Sequence, residues 1–553
     1  MAASELDRMY DAVLAAATGP GGQIVVERDA DGIERVANFP ATMQAFFDTF
    51  CTLNGAVEGL VAGDERFTFA DLNTRATTLA HALAARGIGK GERVGIAMKN
   101  CASWIIVHMA VLKCGGVSTL LNGWWQSAEL AHALDLVTPT LVVADSPRAD
   151  RIGQCGWAGE VVALDVDAPI EEALAPLGGG SAPLPDVSPD DDATILFTSG
   201  STGEAKGAVS THRAVTSGIY TYAVSLMVLK GVLEARGTPP PNPPRTLVNV
   251  PLFHVTGEVP VLLNSFVIGR GMVLMPKWDA AEALRLIEKE KITYFVGVPT
   301  MGLELMTHPD HLTRDLSSLT DIAGGGAPRP VSHVERLQKE FPAAQPALGY
   351  GLTETNAVGC GNFWSSYAAK PSSTGRAMPF TEIAILGPGD AHLPSGEVGE
   401  IGIRSAANVR GYWQNPEATA AGFTADGYFR TGDLGYKDED GYLFIVDRKK
   451  DIIIRGGENI SAAEVEAAIY ACPDVAEAAV FGAPDDRLGE VPVAVLHARP
   501  ESDLDEDQLR AFLAPRLAAF KVPARFTFMP QPLPRLGTGK IDRVLLKSQF
   551  ATA

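Results

Sequence analysis

The sequence predicts an α/β protein of at least two domains. Short apolar runs alternate with helical segments, as in Arg93–Met98, Cys101–Cys114 and Leu141–Ala144, which is the pattern of a parallel sheet with helices on its faces. At 553 residues the chain is longer than one hydrophobic core serves. The C-terminal part carries its own strands and helices, at Ala462–Ala471, Ala478–Phe481, Val491–Leu496 and Leu509–Ala518. About 100 residues of that kind suffice for a small α+β domain.

From the N-terminus, a probable hairpin pairs Ile24–Glu27 with Ile33–Val36 across Asp31-Gly32. Phe67–Arg86 reads as a turn into an amphipathic helix, with Leu72, Leu79 and Leu83 on one face. Asn100 precedes the apolar helix Cys101–Cys114 as its expected N-cap. His81, His108 and His132 fall in helical segments and are assigned structural roles. Leu177–Asp192 is a loop, and Gly237–Arg245, with P-P-P-N-P-P, is a stiff exposed insertion. Ala280–Lys289 is an amphipathic helix and Tyr294–Val298 a strand. Ser373–Arg376, Gly396–Ile403 and Gly411–Pro416 read as turns and strands of a smaller β-rich subdomain.

Composition excludes several classes of function. A net charge of −20 argues against nucleic acid or an anionic membrane as the main partner. Any anionic substrate must therefore be held by a local cluster of donors. The six cysteines are scattered without a C-x-x-C pair, which fits reduced thiols rather than a disulfide framework or a zinc site. The N-terminus lacks a signal-peptide pattern, no run of about 18 apolar residues predicts a membrane span, and Ala551-Thr552-Ala553 is no retention signal. The expected compartment is the cytoplasm, without stable membrane insertion. The oligomeric state is not legible, and a homodimer stays open.

The most informative stretch is Thr194–Gly207, T-I-L-F-T-S-G-S-T-G-E-A-K-G. A buried strand, Ile195–Phe197, runs into a loop of hydroxyls, glycines and one lysine. Glycines let backbone N–H groups approach an anion, hydroxyls add donors and Lys206 adds charge. It is no Walker A loop, because Lys206 follows Ala205 and precedes Gly207.

The loop resembles the phosphate loop of the adenylate-forming superfamily, which includes acyl- and aryl-CoA synthetases, luciferases and peptide-synthetase adenylation domains. Further motifs of that family follow in order: P-L-F-H-V-T-G (Pro251–Gly257), G-G-G-A-P (Gly324–Pro328), G-Y-G-L-T-E-T (Gly349–Thr355), G-Y-F-R-T-G-D-L-G (Gly427–Gly435), D-R-K-K-D (Asp447–Asp451), R-G-G-E-N (Arg455–Asn459) and G-T-G-K (Gly537–Lys540).

The resemblance implies a large N-terminal domain of layered sheets plus a β-rich subdomain over 1–449. A small mobile α+β domain over 450–553 turns about a hinge at Lys450. ATP phosphates would be held by Thr198, Ser199, Gly200, Ser201, Thr202, Gly203 and Lys206. Adenine would lie against Gly325, Gly326, Ala327, Pro328, Gly349 and Gly351, with Tyr350 stacked on it, and ribose would bind Asp433 and Arg448. Thr353 would donate to the α-phosphate and Glu354 would hold Mg²⁺. His254 would gate the acyl pocket, and Gly456 and Gly457 would line the path of the thiol. Lys540 would be the main catalytic residue. Asp447 departs from the family, which usually has glycine there.

The implied reaction converts a carboxylic acid and ATP to acyl-AMP and pyrophosphate, followed by thiolysis with coenzyme A. Small residues at the expected pocket wall favour a medium- to long-chain fatty acid, with aryl or aryl-propenoic acids second. Glu258, with no aspartate near the Pro251–Gly257 motif, weakly disfavours amino acids. Loading of a carrier protein, luciferase-type oxidation and a nucleotide-binding homologue without catalysis are the other readings.

Overall fold

A computed structural model describes residues 4–198, 205–326, 329, 331–456, 458–500, 502–536 and 540–551. The expected alternation is present. A seven-stranded sheet has the order Gly411–Tyr412, Lys206–Thr211, Asp192–Thr198, Val117–Leu120, Arg93–Ala97, Leu141–Asp145, Glu160–Leu164. Its last five strands are parallel, and Lys206–Thr211 returns antiparallel to Asp192–Thr198.

A nine-stranded sheet is parallel from Gln345–Gly351 through Asp321–Gly324, Tyr294–Gly297, Arg245–Val248 and Gly271–Leu274 to Glu58–Ala62. Ala102–Lys113 is buried along its whole length, which explains why the segment is apolar on every side rather than amphipathic. A four-stranded antiparallel sheet spans Thr381–Arg448. A five-stranded sheet and its helices make a separate core from Ile453 onward.

Several expectations need correction. Asn100 does not cap the helix; Cys101 stands at that position and its side chain makes no capping bond. Asn100 instead donates to Val250 O at 2.9 Å and accepts from Leu252 N at 3.0 Å, tying down the start of the Pro251–Gly257 motif. Gly411–Tyr412 pairs with Ala208 and Val209 in the seven-stranded sheet and not with the β-rich subdomain. The helix expected over Leu509–Ala518 runs Glu506–Leu513, because Asp505 accepts from Gln508 N and starts it earlier.

By length and composition one helix among the described residues, His212–Ala235, could cross a membrane. Two thirds of its apolar window is buried, as befits a core helix. All six cysteines are free thiols.

Candidate active site

A cleft of about 2870 Å³ runs between the sheets and the C-terminal core. Strand pairing assembles its nucleotide-sized end. Asp433 lies opposite Arg448 on neighbouring antiparallel strands, so residues 15 positions apart become partners. Arg448 Nε donates to Asp433 Oδ1 at 3.2 Å, and Tyr350 OH donates to Oδ2 at 2.7 Å. Asp433 is only 5% exposed. Burial, then the Asp433 charge, pushes the Tyr350 phenol well above its ordinary range, so it keeps the proton that it donates to Asp433.

The second cluster surrounds Glu354. The strand Gln345–Gly351 leaves its sheet into a single 3₁₀ turn, Thr353–Thr355, which buries Glu354 at the cleft wall. Tyr412 OH donates to its Oε1 at 2.7 Å, and Lys206 Nζ stands 5.1 Å from the centre of the Tyr412 ring. Burial raises the Glu354 pKa; the Tyr412 bond and the charges of Arg448 and Lys206 oppose that. Thr198 and Lys206 are register partners at the ends of the hairpin that carries the phosphate loop. Ser199, Gly200, Ser201, Thr202 and Gly203 lie outside the described residues, as do Ala327, Pro328 and Gly457.

Lys540 is the third component. A Cβ on Gly326 would lie 3.3 Å from Lys540 Cε and 3.6 Å from Nζ, so the amine enters the cleft beside the Gly324–Gly326 turn. Gly326 has φ +74°, a conformation glycine adopts without steric cost. Burial and then Arg448 push the Lys540 pKa down to about 8, against Asp433. Arg535 donates to Thr300 Oγ1 at 3.3 Å and pairs with Glu477, joining the C-terminal core to the helix Pro299–Thr307 that follows the strand Tyr294–Gly297.

His254 lines the cleft, and its Nδ1 accepts from Thr256 N at 3.3 Å, which leaves the proton on Nε2. Burial, then the Lys540 charge, holds its pKa down at about 3. It is therefore a neutral wall residue near neutral pH and not a base. Gly324 lines the cleft, and a Cβ there would come 2.8 Å from Cζ of Arg329, so the glycine also accommodates a buried guanidinium. Gly325, Gly349 and Gly351 line the cleft. Gly456 does not; it packs against Leu488. Lys450 is in the exposed turn after Leu443–Arg448. Asp447 accepts from Ala463 N at 3.3 Å and so holds the first turn of the helix Ala462–Tyr470.

From the nucleotide end outward, the floor of the cleft is one face of the nine-stranded sheet. Tyr294, Val296 and Val298 line it at every second position, as do Asp321, Ala323 and Gly325, then Ala347, Gly349 and Gly351. Tyr222, Ser225, Leu226, Leu229 and Leu233 of the long helix form one wall at helical spacing. Pro260, inside the π-helix Gly257–Leu263, and Asn264 just after it also line the cleft. The cleft reaches the exposed loop at Pro239 and Pro240.

Tyr412, Trp124, Asn100 and Arg535 were not legible as site residues. Trp124 lines the cleft and meets Phe253 edge to face at 4.9 Å. None of the four sits in a pattern that signals its partner, since each partner is distant in sequence.

The family model of AMP-binding enzymes matches residues 47–413, and that of the AMP-binding enzyme C-terminal domain matches 464–540. The chain belongs to the AMP-binding enzyme family. It is 35% identical to a feruloyl-CoA synthase of Amycolatopsis sp over 491 residues, 88% of this chain and 95% of the relative. It is 32% identical to a long-chain-fatty-acid–CoA ligase of Bacillus subtilis over 514 residues, 87% and 89% of the two chains. The crystal structure of ATP-bound MatB from Rhodopseudomonas palustris superposes with a TM-score of 0.81 at 28% identity, covering 92% of this chain and 99% of that one. Like the feruloyl-CoA synthase, the long-chain-fatty-acid–CoA ligase and a solved fatty acyl CoA synthetase of Mycobacterium tuberculosis, this AMP-binding enzyme is an acid–thiol ligase of the AMP-forming class.

Proposed function

We propose that the cleft joins an elongated, largely apolar carboxylic acid to coenzyme A by way of its adenylate. The favoured substrate is a medium- to long-chain fatty acid, with ring-bearing aryl acids second. The observation that carries this reading is the presence of Lys540, Glu354 and the Asp433–Arg448–Tyr350 cluster in one cleft. The relatives' differing acids do not choose between the substrates, whereas the small, apolar floor at Val296, Ala323 and Ala347 favours a long or flat acyl group.

In the first step a carboxylate oxygen attacks the α-phosphorus of ATP and pyrophosphate leaves. Charge grows on the phosphoryl oxygens, and donors fixed where it grows lower the barrier. Lys540 would supply an ammonium to the carboxylate and α-phosphate, and Thr353 a hydroxyl. Thr198 to Lys206 would bind the β and γ phosphates. Asp433 and Arg448 would hold ribose. Tyr350, its hydroxyl held by Asp433, would stack on adenine.

Glu354 fits Mg²⁺: Tyr412 occupies one of its oxygens, and the raised pKa marks a carboxylate that a cation would stabilise. Among the described residues no group of three His, Cys, Asp or Glu is placed to hold a metal. That suits an ion taking its remaining ligands from phosphates and water. Such an ion would neutralise phosphate charge.

In the second step the thiolate sulfur attacks the acyl carbonyl carbon, and the bond to AMP breaks. Lys540 must leave first. We assign residues 450–553 to a mobile domain that turns at Lys450 and brings Gly456 and Gly457 to the cleft; the arrangement with Lys540 inward is then the adenylating one. The test is a panel of acids with ATP, Mg²⁺ and coenzyme A, following AMP and thioester together. Equal AMP and thioester with a fatty acid supports the reading. AMP without thioester would favour a carrier-protein thiol, and no AMP with any acid would reject it.

A further inference from the structure

At the far end of the acyl floor the cleft turns polar. Tyr294 pairs with Asp321 in register, two residues before the Val296–Ala323–Ala347 layer. Arg270, 2% exposed, also lines the cleft here. Its Nε donates to Ser265 Oγ at 2.9 Å and its Nη2 to the carbonyls of Pro260 and Val261 at 2.7 and 2.9 Å. Those bonds satisfy backbone oxygens in the π-helix. Nη1 finds no acceptor among the described residues, and the guanidinium lies 5.0 Å from the Tyr294 ring centre. Burial pushes its pKa down to about 10, and no carboxylate works against this.

Asn264, the chain neighbour of the Ser265 that accepts from Arg270 Nε, is 1% exposed and lines the cleft with neither Oδ1 nor Nδ2 hydrogen-bonded. A buried amide with no partner is costly, and groups of this kind are normally satisfied. Asp321 is spoken for: Trp364 Nε1 and Thr320 Oγ1 both donate to it at 2.8 Å.

We propose that Arg270 and Asn264 form a specificity subsite for an uncharged oxygen acceptor, such as a ketone, carried by the acyl substrate far from its carboxyl. This rests on the acid-binding reading above. The spare donors are Nη1 and Nδ2, which take an acceptor oxygen, and the one spare acceptor beside them is Asn264 Oδ1. Asp321 lining the same end disfavours a second carboxylate. Strand geometry sets the reach: four residues from Val298 to Tyr294 span roughly 13 Å. The oxygen therefore lies roughly 10–13 Å from the reacting carboxyl. A plain alkyl end would leave Asn264 unpaired, and a site with buried polar groups rejects analogues that cannot pair them.

The test uses the full-length wild-type enzyme with decanoic, 9-oxodecanoic and decanedioic acids, measuring AMP release and calorimetric binding of each acid. We expect 9-oxodecanoate to exceed decanoate about tenfold or more in kcat/KM and in affinity, the worth of a hydrogen bond to a charged group. Arg270→Lys, which lacks Nη1, and Asn264→Leu should each bring that ratio towards one.

Decanoate equal to or better than 9-oxodecanoate in the wild type would overturn the proposal, whether or not the variants fold. Preference for decanedioate over both would overturn the uncharged acceptor. Selective binding of 9-oxodecanoate without AMP release would uphold the subsite while sinking the ligase reading. AMP release without selectivity would do the reverse.

Discussion

Lys540 and Gly326 touch across the cleft, although 214 positions separate them in the chain: a Cβ on the glycine would lie 3.6 Å from the lysine nitrogen. The amine thereby meets the turn before the nucleotide end, beside His254, whose pKa it helps to depress. Removing it should abolish adenylation and little else. Lys540→Ala is expected to lower acid-dependent pyrophosphate exchange by about 10²–10³, the usual cost of a lost transition-state donor. Thiolysis of supplied acyl-AMP should survive, and equal loss of both half-reactions would remove the assignment.

The same amine sets a pH dependence. The useful form is the ammonium, and burial lowers its pKa to about 8. It is therefore largely charged at pH 7 and loses its proton as pH rises through 8. The kcat/KM for adenylation, which reports the free enzyme, should fall about tenfold per pH unit above that point. Thiolysis of supplied acyl-AMP should lack this limb. A flat adenylation profile from pH 7 to 9.5 would contradict the role.

Glu354 depends on Tyr412 for its charge. The hydroxyl donates to Oε1 at 2.7 Å and lowers a pKa that burial raises. Tyr412→Phe should therefore raise the carboxyl pKa further. More Mg²⁺ should be needed for half-maximal adenylation, with the deficit larger at pH 6 than at pH 8. A Mg²⁺ requirement unchanged at both values would show that Glu354 does not hold the ion. Chelation of Mg²⁺ should stop adenylation in the wild type.

Lys450 lies in an exposed turn between the Leu443–Arg448 strand and the C-terminal core. If that turn is the hinge, Lys450→Pro, which fixes φ, should spare pyrophosphate exchange and block thioester formation. Unimpaired overall turnover would place the pivot elsewhere.

Local signals made much of this protein legible. Strand–glycine–hydroxyl runs such as Thr194–Gly207 resemble a phosphate loop within one stretch of chain, and the ordered motifs point to Tyr350, Glu354, Asp433, Arg448 and Lys540. Period-two and helical patterns predict the alternating elements. Where an expectation failed, a distant partner had won. Asn100 looks like a cap, yet it bonds backbone around Val250, about 150 positions away.

By itself, then, the sequence determined the family, the reaction chemistry and the identity of most groups that would touch the nucleotide, because those constraints act within a few residues of each other. Only the tertiary structure decided which groups meet. It set Tyr412 on Glu354, Lys540 by Gly326, and a buried Arg270 and an unpaired Asn264 on the cleft wall. These are properties of sheet register and packing between segments far apart in the chain, and pairing across a fold leaves no periodic trace in either partner.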